Sequence, residues 1–162
     1  MTRDVTGRRR RRSDRVGSRI QRAAAIVAAT FVLVGLLGFV PGVTTGYGDL
    51  GFAGHESGAK LLGVFQVSVL HNLVHLLFGL AGLALSRSVA GSRIYLAGGG
   101  AVYLALWLYG LVIDHSSAAN FIPVNGADNW LHLGLGLAML VLGLLLSPRA
   151  NADARQLDAP AP

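Results

Sequence analysis

Four long apolar runs that contain no acidic residue, lysine or arginine constrain the fold of this chain more than any other feature. They cover residues 23–40, 69–85, 94–113 and 130–146. Each approaches the roughly 17–25 residues that an α-helix needs to cross the hydrocarbon core of a bilayer. Because a backbone in lipid must satisfy its own hydrogen bonds, each run is predicted to be a helix. The sequence therefore predicts an all-α integral membrane protein, a four-helix bundle over residues 23–146.

The composition supports the membrane class and narrows the chemistry. Hydrophobic residues make up 52% of the chain and charged residues 14%, whereas about a quarter of the residues of a soluble domain are charged. The absence of cysteine excludes disulfides, thiolate metal sites and cysteine nucleophiles. The chain also lacks an HExxH motif, a serine nucleophile motif and a phosphate-binding glycine context. We therefore expect no enzymatic activity, and the sequence favours no particular cofactor.

The distribution of basic residues predicts the orientation of the four spans. All the arginines fall before the first span, between the second and third, or after the fourth, whereas Lys60 lies in the first intervening loop. The positive-inside rule then places both termini in the cytoplasm. The first span is expected to be an uncleaved anchor, because no small-x-small cleavage site follows it.

The two ends of the chain are predicted to be disordered cytoplasmic tails, over residues 1–22 and 147–162. Arginines are dense in the first tail, which is expected to bind anionic lipid at about 1 kcal/mol for each basic residue near the surface. Nucleic acid is not an expected partner, because no aromatic or folded platform accompanies the charge.

An internal repeat links the second and fourth runs. Residues 64–83 align without gaps with residues 121–140, at an offset of 57 positions, whereas the first and third runs do not align convincingly. The match predicts two helical hairpins in parallel repetition. Ser68 and Asn125 occupy equivalent positions and are both good N-cap residues. The two helices are thus predicted to begin there, with an extended approach over Leu61–Val67.

Polar residues cluster in the first turns of these two predicted helices. His71 and His75 are four residues apart, as are Asp128 and His132, so each pair shares one helical face. Glycines continue both faces, which is typical of close helix–helix contact within membranes. We expect these side chains to point into the bundle, near its outer end.

Four hypotheses account for this cluster, since ionisable groups within spans indicate function by default. The favoured one is structural hydrogen bonding between helices, loops and repeats, which fits a structural or interaction role. The second is a divalent metal site formed by His71, His75, Asp128 and His132. The third is a haem with His75 and His132 as axial ligands. The fourth is a proton or small-solute permease that works as a homo-oligomer.

Three sequence segments also resemble a known family. They are LHNLVHLLFGLAGLALSR, YLALWLYGLVIDHSSAANFIPVN and ADNWLHLGLGLAM. They resemble the bacterial membrane family filed as domain of unknown function 4383, over roughly residues 23–146. The resemblance implies a small four-helix protein of a bacterial plasma membrane, largely actinobacterial, and it supplies no catalytic residues. Ser68-Val69 departs from the Asn-Pro-like helix start common in that family, although serine keeps the capping role.

Overall fold

The chain folds into a bundle of helices joined by two long loops at one end. A computed structural model describes the backbone of residues 5–146 and the side chains from Arg19 onward. The helices are α1 (Val5–Leu37), α2 (Val69–Leu85), α3 (Val89–Val112) and α4 (Gly126–Leu145). Within α3, a π-helical turn over Ile94–Gly98 separates two α-helical parts. The predicted all-α helical bundle is confirmed.

Three of these helices are long and apolar enough to cross a membrane. They are α3, α4 and the part of α1 from Arg19 to Leu37. The remaining helix, α2, is equally apolar but has 17 residues. These features are those of a membrane protein.

The start of α1 contradicts the prediction of a disordered tail over residues 1–22. It already begins at Val5, so residues 5–22 are helical, whereas residues 1–4 and the predicted tail 147–162 lie outside the described part. Arginine is a good helix former. Helix propagation from an existing apolar segment is also much less costly than nucleation. The arginine run therefore continues the helix, although its composition is typical of disorder.

The other helix ends differ from the limits of the apolar runs for local reasons. The third helix begins at Val89 rather than at residue 94, because Ser88 caps it by accepting a hydrogen bond from Gly91 N. The first helix ends at Leu37 rather than at residue 40, and the chain then turns through Gly42, whose φ is +90°. The fourth begins at Gly126, where the capping argument placed it, rather than at residue 130.

The helices pack as two antiparallel hairpins, α1 with α2 and α3 with α4. Glycines allow each pair to approach closely. A Cβ on Gly79 would lie 2.7 Å from Ala28 O, and a Cβ on Gly100 would lie 2.7 Å from Leu140 N. The buried core between the hairpins contains the residues Ile20, Ala24, Ala28, Phe31, Tyr95, Leu96, Tyr103 and Met139.

The loop between α1 and α2 contains a small antiparallel sheet in the order β1-β2-β3. Its strands are β1 (Thr44–Thr45), β2 (Lys60–Leu61) and β3 (Phe65–Gln66). Ala59, Leu61 and Val67 form a buried cluster against Val34 and Leu37, at the end of α1. The approach to α2 was predicted to be extended over Leu61–Val67, but the chain turns at Leu62 and Gly63, whose φ angles are positive, and is extended on either side of that turn in β2 and β3. We call this end of the bundle, with residues 38–68 and 113–125, the loop end.

Candidate functional site

Both histidine-bearing helices begin at the loop end with the predicted N-caps. Ser68 Oγ accepts a hydrogen bond from His71 N at 3.1 Å. Asn125 Oδ1 accepts from Asp128 N at 3.0 Å, and Asp128 Oδ2 accepts in return from Asn125 N at 2.9 Å. This reciprocal pair is a capping box, which satisfies two backbone donors at the helix start. The predicted starts at Ser68 and Asn125 are confirmed.

The two hairpins exchange a pair of hydrogen bonds at their helix starts. The ring of His71 donates from Nδ1 to Pro123 O at 3.1 Å, and Gln66 N donates to Asp128 Oδ2 at 3.0 Å. His71 and Asp128 are equivalent positions in the sequence repeat, as are Gln66 and Pro123. Because proline has no N–H, residue 123 can only accept. Each hairpin thus binds the segment that precedes the second helix of the other.

A second set of contacts relates the first helices of the hairpins, which sequence comparison did not align. Asn72 lies against Gly38, the residue directly after α1, and Asn129 lies against Gly110 of α3, so close that neither glycine has room for a side chain. The amide atoms Asn72 Nδ2 and Asn129 Oδ1 are buried without a hydrogen-bond partner. The sequence gives no direct signal for these two glycines, because only the equivalent positions of Asn72 and Asn129 could have indicated them.

The ring contacts of His75 and His132 relate α1 to α3 in the same way. Phe31 of α1 lies 5.5 Å from His75 between ring centroids, and Tyr103 of α3 lies 5.2 Å from His132. Phe31 and Tyr103 are separated by 72 positions, as are Gly38 and Gly110. A shift of 72 positions therefore relates the first helices, and a shift of 57 relates the second.

Hydrogen bonding fixes the proton position on two of the histidines. His75 Nδ1 contacts His71 O at 3.0 Å, and the two rings are stacked with centroids 4.5 Å apart. A carbonyl oxygen can only accept, so the Nδ1 atoms of His71 and His75 both carry a proton. In a neutral ring, the Nε2 atom then keeps its lone pair. His132 Nδ1 is buried without a hydrogen-bond partner.

These three histidines line one cavity of about 100 Å³ at the loop end. The cavity lies between α2, α3, α4 and the loop that leads into α4. Its other walls are aliphatic and aromatic, and they comprise Val74, Tyr103, Leu106, Tyr109, Phe121, Ile122 and Val124. No aspartate, glutamate, lysine or arginine lines this cavity.

The structure brings together three of the four residues of the predicted metal site. Asp128 does not line the cavity with the three histidines, and two backbone N–H groups donate to its carboxylate. Among the side chains described, those of residues 19–146, no group of three or more His, Asp or Glu is arranged to hold a metal ion. The cavity is also smaller than the roughly 150 Å³ known to bind benzene, so it has no room for a haem.

Side-chain hydrogen bonds organise the loop that forms one wall of the cavity. The buried Asn120 donates from Nδ2 to His115 O and Val124 O, and it accepts from Val124 N, each at 3.0 Å. Nearby, Asp114 Oδ1 accepts from Ser116 N and Ser116 Oγ. These two bonds lower the pKa of the exposed Asp114 carboxyl below its ordinary value. No motif or spacing in the sequence predicts these hydrogen bonds.

Comparison with known proteins gives a family. No curated protein and no solved structure matches this chain. A family model described as Domain of unknown function (DUF4383) matches residues 21–145. The match covers all four helices except residues 5–20 of α1 and agrees with the resemblance of the HNLVH and ADNWLH segments. The chain belongs to the DUF4383 family.

Proposed function

We propose that this chain is a non-enzymatic protein with a structural or interaction role in the plasma membrane of a bacterium. In this proposal it has four spans, both termini are cytoplasmic, and its two hairpins arose by duplication. The observation that carries the structural role is the pair of reciprocal hydrogen bonds between the hairpins, from His71 to Pro123 and from Gln66 to Asp128. The polar residues at the helix starts then hold the bundle together.

The packing of α2 supports its assignment as a fourth span. Seventeen residues rise about 26 Å at 1.5 Å each, close to the roughly 30 Å of the hydrocarbon core. Exposed leucines and a valine, such as Leu73, Val74, Leu77 and Leu80, line its outer face. Because α2 packs alongside the membrane-length α1, it shares the environment of that helix.

The charges at the helix ends support the proposed orientation. Arg19 and Arg22 lie at the start of the apolar part of α1, Arg87 lies in the turn between α2 and α3, and Arg93 lies near the start of α3. Lys60 lies in the sheet at the loop end. With the arginines on the cytoplasmic side, the loop end faces outward.

Single cysteines test this orientation, since the native chain has none. We expect Glu56→Cys, at the loop end, to react with a membrane-impermeant maleimide in intact cells. We expect Ser88→Cys, at the opposite end, to react only after the membrane is permeabilised. Labelling of Ser88→Cys in intact cells would contradict the proposed orientation.

Duplication is supported by the two constant offsets. Contacts between α1 and α2 recur between α3 and α4 when first-helix positions are shifted by 72 and second-helix positions by 57. The difference between the two offsets equals an insertion in the first loop, which contains the small sheet. Helix packing therefore supports a repeat that covers complete hairpins.

Removal of the reciprocal bonds tests the structural role. We expect Asp128→Ala to lower the free energy of unfolding by about 2–4 kcal/mol, because it removes a cap and leaves Gln66 N without its acceptor. His71→Ala is expected to cost about 1–3 kcal/mol, because it leaves Pro123 O without its donor. The measurement is thermal unfolding of the full chain in detergent.

His55→Ala and Glu56→Ala provide matched controls at the same end. Neither side chain makes a hydrogen bond among the described residues, so both variants should unfold like the wild type. Equal melting temperatures for Asp128→Ala, His71→Ala and these controls would refute the structural role.

One observation favours metal binding as a second candidate function. The tautomers of His71 and His75 leave Nε2 lone pairs, which suit imidazole-binding metals. Metal analysis and an absorption spectrum of the purified protein test this candidate and the haem hypothesis together. No bound metal and no Soret band would refute both. Flux into proteoliposomes, with and without His75→Ala, tests the permease hypothesis.

A further inference from the structure

We propose that the histidine-lined cavity binds a neutral, lipid-soluble hydroxyaromatic molecule, whose ring enters the cavity and whose hydroxyl group donates to an imidazole nitrogen. This proposal goes beyond the structural role of the helix starts, because it concerns imidazole atoms that the bonds between the hairpins do not use. It rests on the hydrogen-bonding state of the cavity, its size, its wall chemistry and its position.

The histidines of the cavity offer unused acceptor atoms. Donation from Nδ1 to a backbone carbonyl leaves His71 and His75 with a lone pair on Nε2. His132 is 6% exposed, lines the cavity and makes no side-chain hydrogen bond among the described residues. Buried polar atoms in native proteins normally have a partner, so an exception requires an explanation. A ligand that donates a hydrogen bond would provide one.

The size and walls of the cavity select the rest of the ligand. A volume of about 100 Å³ is below the roughly 150 Å³ site that binds benzene, so the cavity admits at most one small ring. Tyr103, Tyr109 and Phe121 are placed for aromatic contacts with such a ring. No oppositely charged residue lines the cavity, and an unpaired charge is costly to bury. The ligand should therefore be neutral.

The surroundings of the cavity indicate access from the bilayer. Val74 on α2 and Leu106 on α3 are each 40% exposed, and Phe121 is 56% exposed. All three line the cavity and are apolar on the outside of the bundle. A membrane-dissolved molecule can thus reach the cavity between α2 and α3, and an attached alkyl chain can remain in lipid.

A pair of probes that differ in one hydrogen-bond donor tests the proposal. We would titrate the full chain in nanodiscs with 4-heptylphenol and with 4-heptylanisole, whose methyl ether cannot donate. The phenol should raise the melting temperature with saturation and shift the ¹⁵N resonances of the histidine Nε2 atoms. The anisole should do neither. Equal effects of the two probes, or no effect of the phenol, would overturn the proposal.

Variants then locate the binding site. Val74→Trp and Leu106→Trp would fill the cavity entrance without changing a histidine, so they should abolish the effect of the phenol. Leu80→Trp places the same side chain on an exposed part of α2 outside the cavity, so it should retain the effect. Retention in both entrance variants would place the phenol elsewhere and overturn the proposal.

One histidine variant tests the hydrogen bond itself. His132→Phe keeps an aromatic ring beside Tyr103 but removes both nitrogens. We expect it to weaken binding of the phenol at least tenfold. An unchanged affinity would refute the role of His132 as acceptor. The hairpin bonds are tested by stability without any probe, so failure of this proposal and failure of the structural role are distinguishable.

Discussion

Close backbone contact between α3 and α4 predicts opposite effects for two glycine-to-alanine substitutions. A Cβ at Gly100 would lie 2.7 Å from Leu140 N and 2.8 Å from Gly136 O, whereas a Cβ at Gly134 would meet nothing within 4 Å. Both positions are helical, and in each case only one methyl group is added. The two variants therefore differ mainly in whether the methyl group has space.

The expected magnitudes follow from these distances. Alanine favours helix by up to about 1 kcal/mol over glycine, so Gly134→Ala should be neutral or stabilising. For Gly100→Ala, the backbones must separate by about 0.7 Å to restore a 3.4 Å contact. Overpacking of this kind costs about 1–3 kcal/mol. Packing is also a main source of helix association in lipid, so we expect a net loss of about 1–2 kcal/mol.

The assay is equilibrium thermal unfolding of both variants in the same detergent, monitored by circular dichroism. For a chain of this size, 1 kcal/mol corresponds to about 2–4 °C in melting temperature. Gly100→Ala should therefore melt several degrees below Gly134→Ala. Equal melting temperatures, or a more stable Gly100→Ala, would refute the proposed tight packing of α3 on α4.

Three further predictions concern the loop end. Ser68→Ala should lower the free energy of unfolding by about 1 kcal/mol through loss of the α2 cap, measured by thermal unfolding. Asn120→Ala should cost about 2–4 kcal/mol and speed proteolysis of residues 113–125, because it removes three hydrogen bonds, two of them buried; unchanged proteolysis would contradict this. The bonds from Ser116 lower the pKa of Asp114 below 3.8, so their contribution is complete above that pH and is lost as the pH falls through the lowered pKa. Protection of the Ser116 amide from hydrogen exchange should decrease only in strongly acidic buffer, and a decrease near neutral pH would contradict the assignment.

Local signals in the sequence predicted much of the fold. Hydrophobic run length placed the helices, and the residue types at Ser68 and Asn125 placed two helix starts, because a cap acts within three residues of its own position. The helix start at Ser88 was not predicted, because Arg93 interrupts the apolar run that follows it. The helix over the arginines of α1 was not predicted, because the composition of that segment alone does not take account of the apolar helix that follows it.

Contacts between distant segments could not be predicted in the same way. The four-residue spacing correctly indicated that His71 and His75 share a face, but it also grouped Asp128 with the histidines. The carboxylate instead binds Gln66 N, 62 residues away in the chain. The group that the carboxylate binds depends on how the two loops contact each other, and the periodicity of the sequence carries no information about that contact. The fit of Asn72 against Gly38 likewise depends on the relative height of two helices.

The proline at residue 123 makes the two hairpins unequal partners. A tandem of two first hairpins would place each histidine opposite the carbonyl of a residue equivalent to Gln66, which can accept its hydrogen bond. A tandem of two second hairpins would place each buried carboxylate opposite a residue equivalent to Pro123, which has no N–H to donate. We therefore expect the first hairpin to be able to assemble with itself and the second to require the first. Under the proposed duplication, proline at residue 123 and aspartate at residue 128 together make the second hairpin depend on the first.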